Sequence, residues 1–273
     1  MAPPHDDSTQ HPISNILFII AMQTEASPLV NKFKLADEPN SVYASLSSDF
    51  VMLIYGCRIS LFPNGVPWVR YSGKYKDLNI NIVCPGKDTT LGVDCVGTVS
   101  ASLLAYASIQ ALQPDLIINA GTAGGFKAKG ASIGDVFLAS DVAFHDRRIP
   151  IPVFDLYGVG CRKTFSTPNL AKELNLKVGK LSTGDSLDMC AEDEAAILAN
   201  DATIKDMEGA AIAYVGHLLD VPVLFLKAVT DIVDGDKPTS EEFLQNLNAV
   251  TIALDLAATK VVDFINGKSC SEL

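Results

Sequence analysis

Apolar runs enriched in β-branched residues recur along the chain at Asn15–Met22, Trp68–Tyr71, Asn79–Cys84, Leu116–Ala120, Asp135–Ala143, Lys180–Thr183, Ile204–Met207 and Val221–Val229. Several are nearly continuous rather than alternating, the pattern of strands buried on both faces. Between them the apolar spacing turns helical, at Glu25–Phe33, Val96–Leu112, Pro168–Leu174, Glu192–Ala199, Gly209–Leu219 and Ser240–Ile265. Strands and helices in alternation predict βαβ units and an α/β fold. Pro114-Asp115 closes one helix ahead of the next strand, and Gly267 stands where the C′ residue of the last helix belongs. There is no internal repeat and no apolar run near 18 residues, so no membrane-spanning helix is expected.

One stretch departs from this order. Residues 41–62 include Phe50-Val51-Met52-Leu53-Ile54-Tyr55 yet keep neither helical nor strand periodicity. They fall between the first helix and the second strand, where a connection is normally short and polar. The stretch reads as an extra hairpin or as an inserted, weakly integrated segment that promotes association, and on the second reading it is dispensable. The expected organisation is a flexible tail over residues 1–14, one domain over 15–267 with 41–62 as an atypical insertion, and a short tail over 268–273.

Composition narrows the function. A chain of 273 residues with 48% apolar content buries a large core, and its 19 glycines and 14 prolines mark no linker. A formal net charge of −11 disfavours a nucleic-acid backbone as partner and favours a small-molecule protein. Cys57, Cys84, Cys95, Cys161, Cys190 and Cys270 show no metal-binding spacing, so reduced thiols in a cytoplasmic setting are expected, with no metal. Residues 1–14 lack the basic and apolar regions of a secretory signal.

The candidate chemistry is carboxylic. Asp206-Met207-Glu208 ends one predicted strand at the start of a helix, which aims Glu208 at the carboxyl edge of the sheet, where open α/β folds bind ligands. An ionised glutamate there can accept from both hydroxyls of a ribose diol. The alternative is an acidic helix N-terminus favoured by the macrodipole. Glu25 follows the strand ending in Ala21-Met22-Gln23-Thr24, and Asp231 emerges from Lys227-Ala228-Val229-Thr230. Three carboxylates thus converge on one edge. Glycosidic cleavage needs two, one to protonate the leaving group and one to activate water, and a third can hold the sugar. Asp234 and Asp236 read as caps. Asn119-Ala120-Gly121-Thr122-Ala123-Gly124-Gly125-Phe126 reads as a strand followed by a glycine-rich turn, either a nucleoside pocket wall or a plain tight turn. Asp185, in Ser182-Thr183-Gly184-Asp185, fits an Asx turn. His145-Asp146-Arg147-Arg148 is a catalytic or subunit-contact loop, or a solvated turn.

Together, Ala21-Met22-Gln23-Thr24-Glu25, Asn119-Ala120-Gly121-Thr122-Ala123-Gly124-Gly125, Ser182-Thr183-Gly184-Asp185, Asp206-Met207-Glu208-Gly209-Ala210-Ala211 and Ala228-Val229-Thr230-Asp231 resemble the nucleoside phosphorylase/nucleosidase superfamily. Within it they are most similar to the 5′-methylthioadenosine nucleosidases of plants. The resemblance implies a single domain around a central mixed, twisted β-sheet flanked by helices, a homodimer, and no cofactor. It also implies hydrolysis of methylthioadenosine in methionine salvage, and whether S-adenosylhomocysteine is accepted as well depends on the volume and polarity of the 5′ pocket. By position it assigns water activation to Glu25, purine protonation to Asp231 and the ribose to Glu208, with Met207 packed on the sugar. Leu187 and the backbone of Asp188 fall beside the base, Thr122 in the substrate site, and the His145–Pro152 segment near the subunit interface. Phosphate-using relatives carry an arginine near the position of Glu25, whereas no arginine occurs between Met1 and Phe33. A phosphorylase, or a storage protein that has lost catalytic residues, are the competing expectations.

Overall fold

The structure, a computed structural model, describes residues 11–38, 41–42 and 59–273. The described elements run in the order β1 (Asn15–Ile19), α1 (Gln23–Phe33), β2 (Ala36–Glu38), β3 (Ser41–Val42), β4 (Ile59–Ser60), β5 (Val69–Tyr75) and β6 (Leu78–Cys84). Then come α2 (Thr98–Leu112), β7 (Leu116–Gly125), β8 (Val136–Phe144), α3 (Phe154–Val159), β9 (Arg162–Lys163), α4 (Pro168–Glu173) and β10 (Lys177–Thr183). The chain finishes with α5 (Ala191–Ala199), β11 (Ile204–Asp206), α6 (Gly209–Leu218), β12 (Val223–Ile232) and α7 (Thr239–Ile265).

One mixed sheet organises the molecule, in the order β11-β10-β8-β12-β7-β1-β6-β5-β2. Its centre is parallel, β6 with β1, β1 with β7, and β7 with β12. Antiparallel pairings join β12 to β8 and β5 to β6. The far edge curls back, because β11 pairs with β10 on one side and with Gly124 and Gly125 of β7 on the other. Side chains alternate across each strand. Ile16, Phe18 and Ile20 therefore enter one core beneath α1 and α7, with Leu29, Phe33, Leu254 and Val262. Leu17 and Ile19 enter the second core, beneath α2 and α6, with Leu104, Ile109, Ile212 and Val215. This two-sided burial is why the central strands carry unbroken apolar runs.

The expected α/β fold and central mixed sheet are present. Strict alternation is not. β5 and β6 form a hairpin, since the short link between them leaves no room for a crossover helix. The expected glycine-rich turn after Ala120 is also corrected, for β7 continues as strand to Gly125 and pairs with β12 throughout. Helix α3 lies just past the segment expected to be a loop. Gly267 does follow α7 with φ +79°, as a C′ residue should. Among the described residues no helix is long and apolar enough to cross a membrane.

Most of the 41–62 insertion, residues 43–58, lies outside the described residues. Its ends are a short antiparallel pairing of β3 with β4. Phe62, the last residue of the stretch, is buried against the second core, edge-on to Trp68 at 5.3 Å between ring centroids.

Candidate active site

The carboxyl ends of β1, β7, β11 and β12 open on a cleft of about 260 Å³. Glu25 enters from the first turn of α1. One of its oxygens accepts the Met22 backbone N–H at 3.2 Å, and the other accepts both the N–H and the hydroxyl of Thr122, each at 2.7 Å. Only 3% of the residue is exposed, and burial raises its proton affinity, a tendency opposed by Thr122 and by the charge of Lys227.

Asp231 owes its direction to a bulge. The register between β12 and β7 slips between Val229 and Asp231, opposing Asp231 to Gly124. Such a slip re-aims the following side chain. Oδ1 accepts the Thr230 hydroxyl at 2.7 Å, whereas Oδ2 has no hydrogen-bond partner among the described residues. A Cβ at Gly124 would stand 2.8 Å from that Oδ2 and 2.5 Å from a Val233 methyl, so only glycine fits. Burial raises the proton affinity of Asp231 and favours the neutral acid.

Asp206 and Glu208 sit where β11 turns into α6. Asp206 accepts the Thr183 hydroxyl at 2.6 Å, the Gly209 N–H at 2.9 Å and the Lys227 ammonium at 2.8 Å. Lys227 and Asp206 are fully withdrawn from solvent, the setting in which an ion pair must be closely matched. Burial lowers the proton affinity of Lys227, but the charges of Asp206 and Glu208 outweigh it and hold the ammonium. Glu208 accepts the Gly97 N–H at 2.9 Å. Burial, and then the neighbouring Asp206 charge, push its carboxyl up to about 7.

Of the residues singled out from sequence, Glu25, Asp231, Met207, Glu208, Leu187 and Thr122 all line this cleft. Asp188 does not. It is exposed outside the wall, and its carbonyl is taken by Lys205 at 3.0 Å. Asp234 is a cap, as expected, accepting the N–H groups of Lys127 and Ala128. His145 is buried behind the site, 3.2 Å from the Ser182 hydroxyl, and is no part of the cleft wall. Burial lowers its proton affinity.

Two lysines escaped the sequence reading. Lys227 closes the Asp206 pair, and the Lys205 ammonium gathers the carbonyls of Ser186, Leu187 and Asp188 at 3.3, 2.8 and 3.0 Å. Each stands at a buried strand position, Lys227 within the apolar run Leu226-Lys227-Ala228 and Lys205 between Ile204 and Asp206. A charge at a buried strand position requires a partner, and that was the available signal.

Residues 15–266 match the model of the phosphorylase superfamily. The chain belongs to that superfamily. Within it, the chain is 65% identical over 262 residues to a 5′-methylthioadenosine nucleosidase of Arabidopsis thaliana, a match covering 96% of this chain and 91% of the relative. It is 63% identical over 264 residues to a 5′-methylthioadenosine/S-adenosylhomocysteine nucleosidase of the same plant, covering 97% and 96%. The solved apo structure of Arabidopsis thaliana 5′-methylthioadenosine nucleosidase superposes with a TM-score of 0.87, over 96% of this chain and all of that one. A futalosine hydrolase of Helicobacter pylori, at 22% identity and a TM-score of 0.71 over 92% of this chain and 98% of its own, shares the superfamily fold.

Proposed function

We propose that the protein hydrolyses the N-glycosidic bond of 5′-methylthioadenosine, giving adenine and 5-methylthioribose. The observation that carries this reading is one cleft lined by four buried carboxylates, Asp206 paired with Lys227 and Glu25, Glu208 and Asp231 in three other settings, in a chain 65% identical to a nucleosidase. Asp231, whose proton affinity burial raises and whose Oδ2 has no hydrogen-bond partner among the described residues, donates its proton to N7 of the purine. As the bond from N9 to C1′ breaks, its electron pair passes into the base and positive charge develops on the ribose. Glu25, steadied by Thr122 and Met22, takes a proton from water as the water oxygen bonds to C1′. Glu208 accepts from the ribose hydroxyls, with Met207 beside the sugar.

Water suits this cleft better than phosphate. Glu25, Asp206 and Glu208 outnumber the two cleft lysines, and both lysines are already engaged, Lys227 by Asp206 and Lys205 by three carbonyls. A dianionic nucleophile would enter against that charge. S-adenosylhomocysteine is the second substrate to test, because one Arabidopsis relative bears both names. The thiols of Cys84, Cys95, Cys161, Cys190 and Cys270 are free, which favours a cytoplasmic site, and the methylthioadenosine substrate favours a place in methionine salvage. Exposed Val99, Leu103 and Tyr106 make an apolar stripe on α2, and Val153, Phe154, Leu156 and Tyr157 cluster at α3. This surface favours a homodimer. The deciding assay follows adenine release from methylthioadenosine and S-adenosylhomocysteine, with and without phosphate. Free methylthioribose at a phosphate-independent rate is expected; methylthioribose-1-phosphate, or no turnover by folded protein, overturns the reading.

A further inference from the structure

Asp185 lies outside the cleft wall and is solvent-exposed, yet both its oxygens are engaged. Oδ1 accepts the Thr98 backbone N–H and Oδ2 the Thr98 hydroxyl, each at 2.6 Å. Its own N–H is held by the Asp146 carboxylate at 2.6 Å, so the residue is fixed from behind as well. The segment it grips is the entry to α2. Gly97 stands there at φ +100°, and a Cβ on it would come within 2.7 Å of Asp185 Oδ1, so the carboxylate packs directly on the glycine. Gly97 in turn donates its N–H to Glu208, the one protein hydrogen bond that this carboxylate accepts among the described residues.

From this arrangement we propose that Asp185 is a positioning residue for Glu208, acting through Gly97 and Thr98 and never touching the substrate. By gripping Thr98 it fixes where the Gly97 N–H points. That donor orients the Glu208 carboxylate and favours its ionised form against the neighbouring Asp206. The ribose diol is then bound by a carboxylate already facing it. Without the grip, part of the binding energy is spent on ordering the acceptor. The inference rests on the assignment of the diol to Glu208 made above. A helix cap alone would explain the Thr98 contacts, and would stabilise α2 without concerning the ribose.

The test compares Asp185→Ala and Asp185→Asn with the wild type, using methylthioadenosine and its 2′-deoxy analogue. The expected result for Asp185→Ala is a rise of about tenfold in KM for methylthioadenosine, equivalent to about 1.4 kcal/mol, with kcat within about threefold. Its preference for ribose over 2′-deoxyribose should fall by a similar factor. Asp185→Asn keeps an oxygen for the Thr98 N–H but replaces the charged acceptor of the Thr98 hydroxyl, so it should recover only part of both losses; it also serves if the alanine variant fails to fold. A lower thermal midpoint with unchanged ribose preference in either folded variant would make Asp185 a helix cap only and overturn the inference. If the wild type binds methylthioadenosine without hydrolysing it, the catalytic reading falls. Calorimetric affinities for the same two nucleosides then decide the positioning role, and absence of any ribose preference in the wild type overturns both.

Discussion

At the scale of single residues, one short stretch of sheet edge gives chemically similar carboxyls different tasks. Asp231 has a buried oxygen without a hydrogen-bond partner among the described residues and a proton affinity raised by burial, whereas Glu25 is anchored by three donors. Asp231→Asn keeps the shape and removes the acid. Its kcat should fall by roughly 10²–10⁴-fold with methylthioadenosine binding retained, as read by steady-state kinetics and calorimetry. Glu208 makes a second, pH-dependent prediction. Its carboxyl is pushed up to about 7, so it binds a proton more tightly folded than unfolded. Such a group favours folding in acid, and that contribution is lost as pH rises through about 7. The thermal midpoint of Glu208→Gln should therefore gain on the wild type between about pH 5 and pH 8 in scanning calorimetry without ligand, while diol binding weakens in the variant. A midpoint difference independent of pH would mean that Glu208 is already ionised throughout.

At the scale of elements, each site residue is delivered by a junction. α1 and α6 begin within a few residues of the ends of β1 and β11, and the first turn of α1 brings Glu25, and the N-cap of α6 brings Glu208, to the cleft. The bulge in β12 brings Asp231. The 41–62 insertion belongs to this scale as well. β3 and β4 pair across it, and Phe62 is part of the core. A deletion that includes Phe62 would forfeit on the order of 3–5 kcal/mol, the usual cost of truncating a buried phenylalanine. Replacing only residues 43–58 with an Asn-Gly turn between Val42 and Ile59 should preserve the cooperative thermal transition and the nucleosidase activity. Loss of that transition would identify the segment as integral to the fold.

At the scale of the molecule, the sheet carries one core on each face, and the cleft opens at its carboxyl edge. The apolar stripe of α2 lies on the helix whose entry touches Glu208, which places the expected subunit contact next to the site. Light scattering should give about twice the chain mass of 29.1 kDa. Val99→Glu with Leu103→Glu should bring it to that of one chain. A wild-type monomer would exclude the homodimer.

The strands and helices, the two-faced core and the convergence of Glu25, Glu208 and Asp231 on one edge were legible in the sequence, because periodicity of burial is a local property and strand ends mark the sheet's edge. The same holds for Gly267, whose signal lies within a few residues of its effect. Other features depend on residues far apart in the chain. Lys227 meets Asp206 across 21 positions, Asp185 grips Thr98 across 87, and Gly97 reaches Glu208 across 111. The continuation of β7 to Gly125 was misread as a turn because glycine signals freedom locally, whereas here it makes room for Asp231, Val233 and Val229 from across the sheet. Sequence determined which groups the site contains. Tertiary structure alone decided their protonation, because that depends on burial and on charges brought near only when the sheet closes.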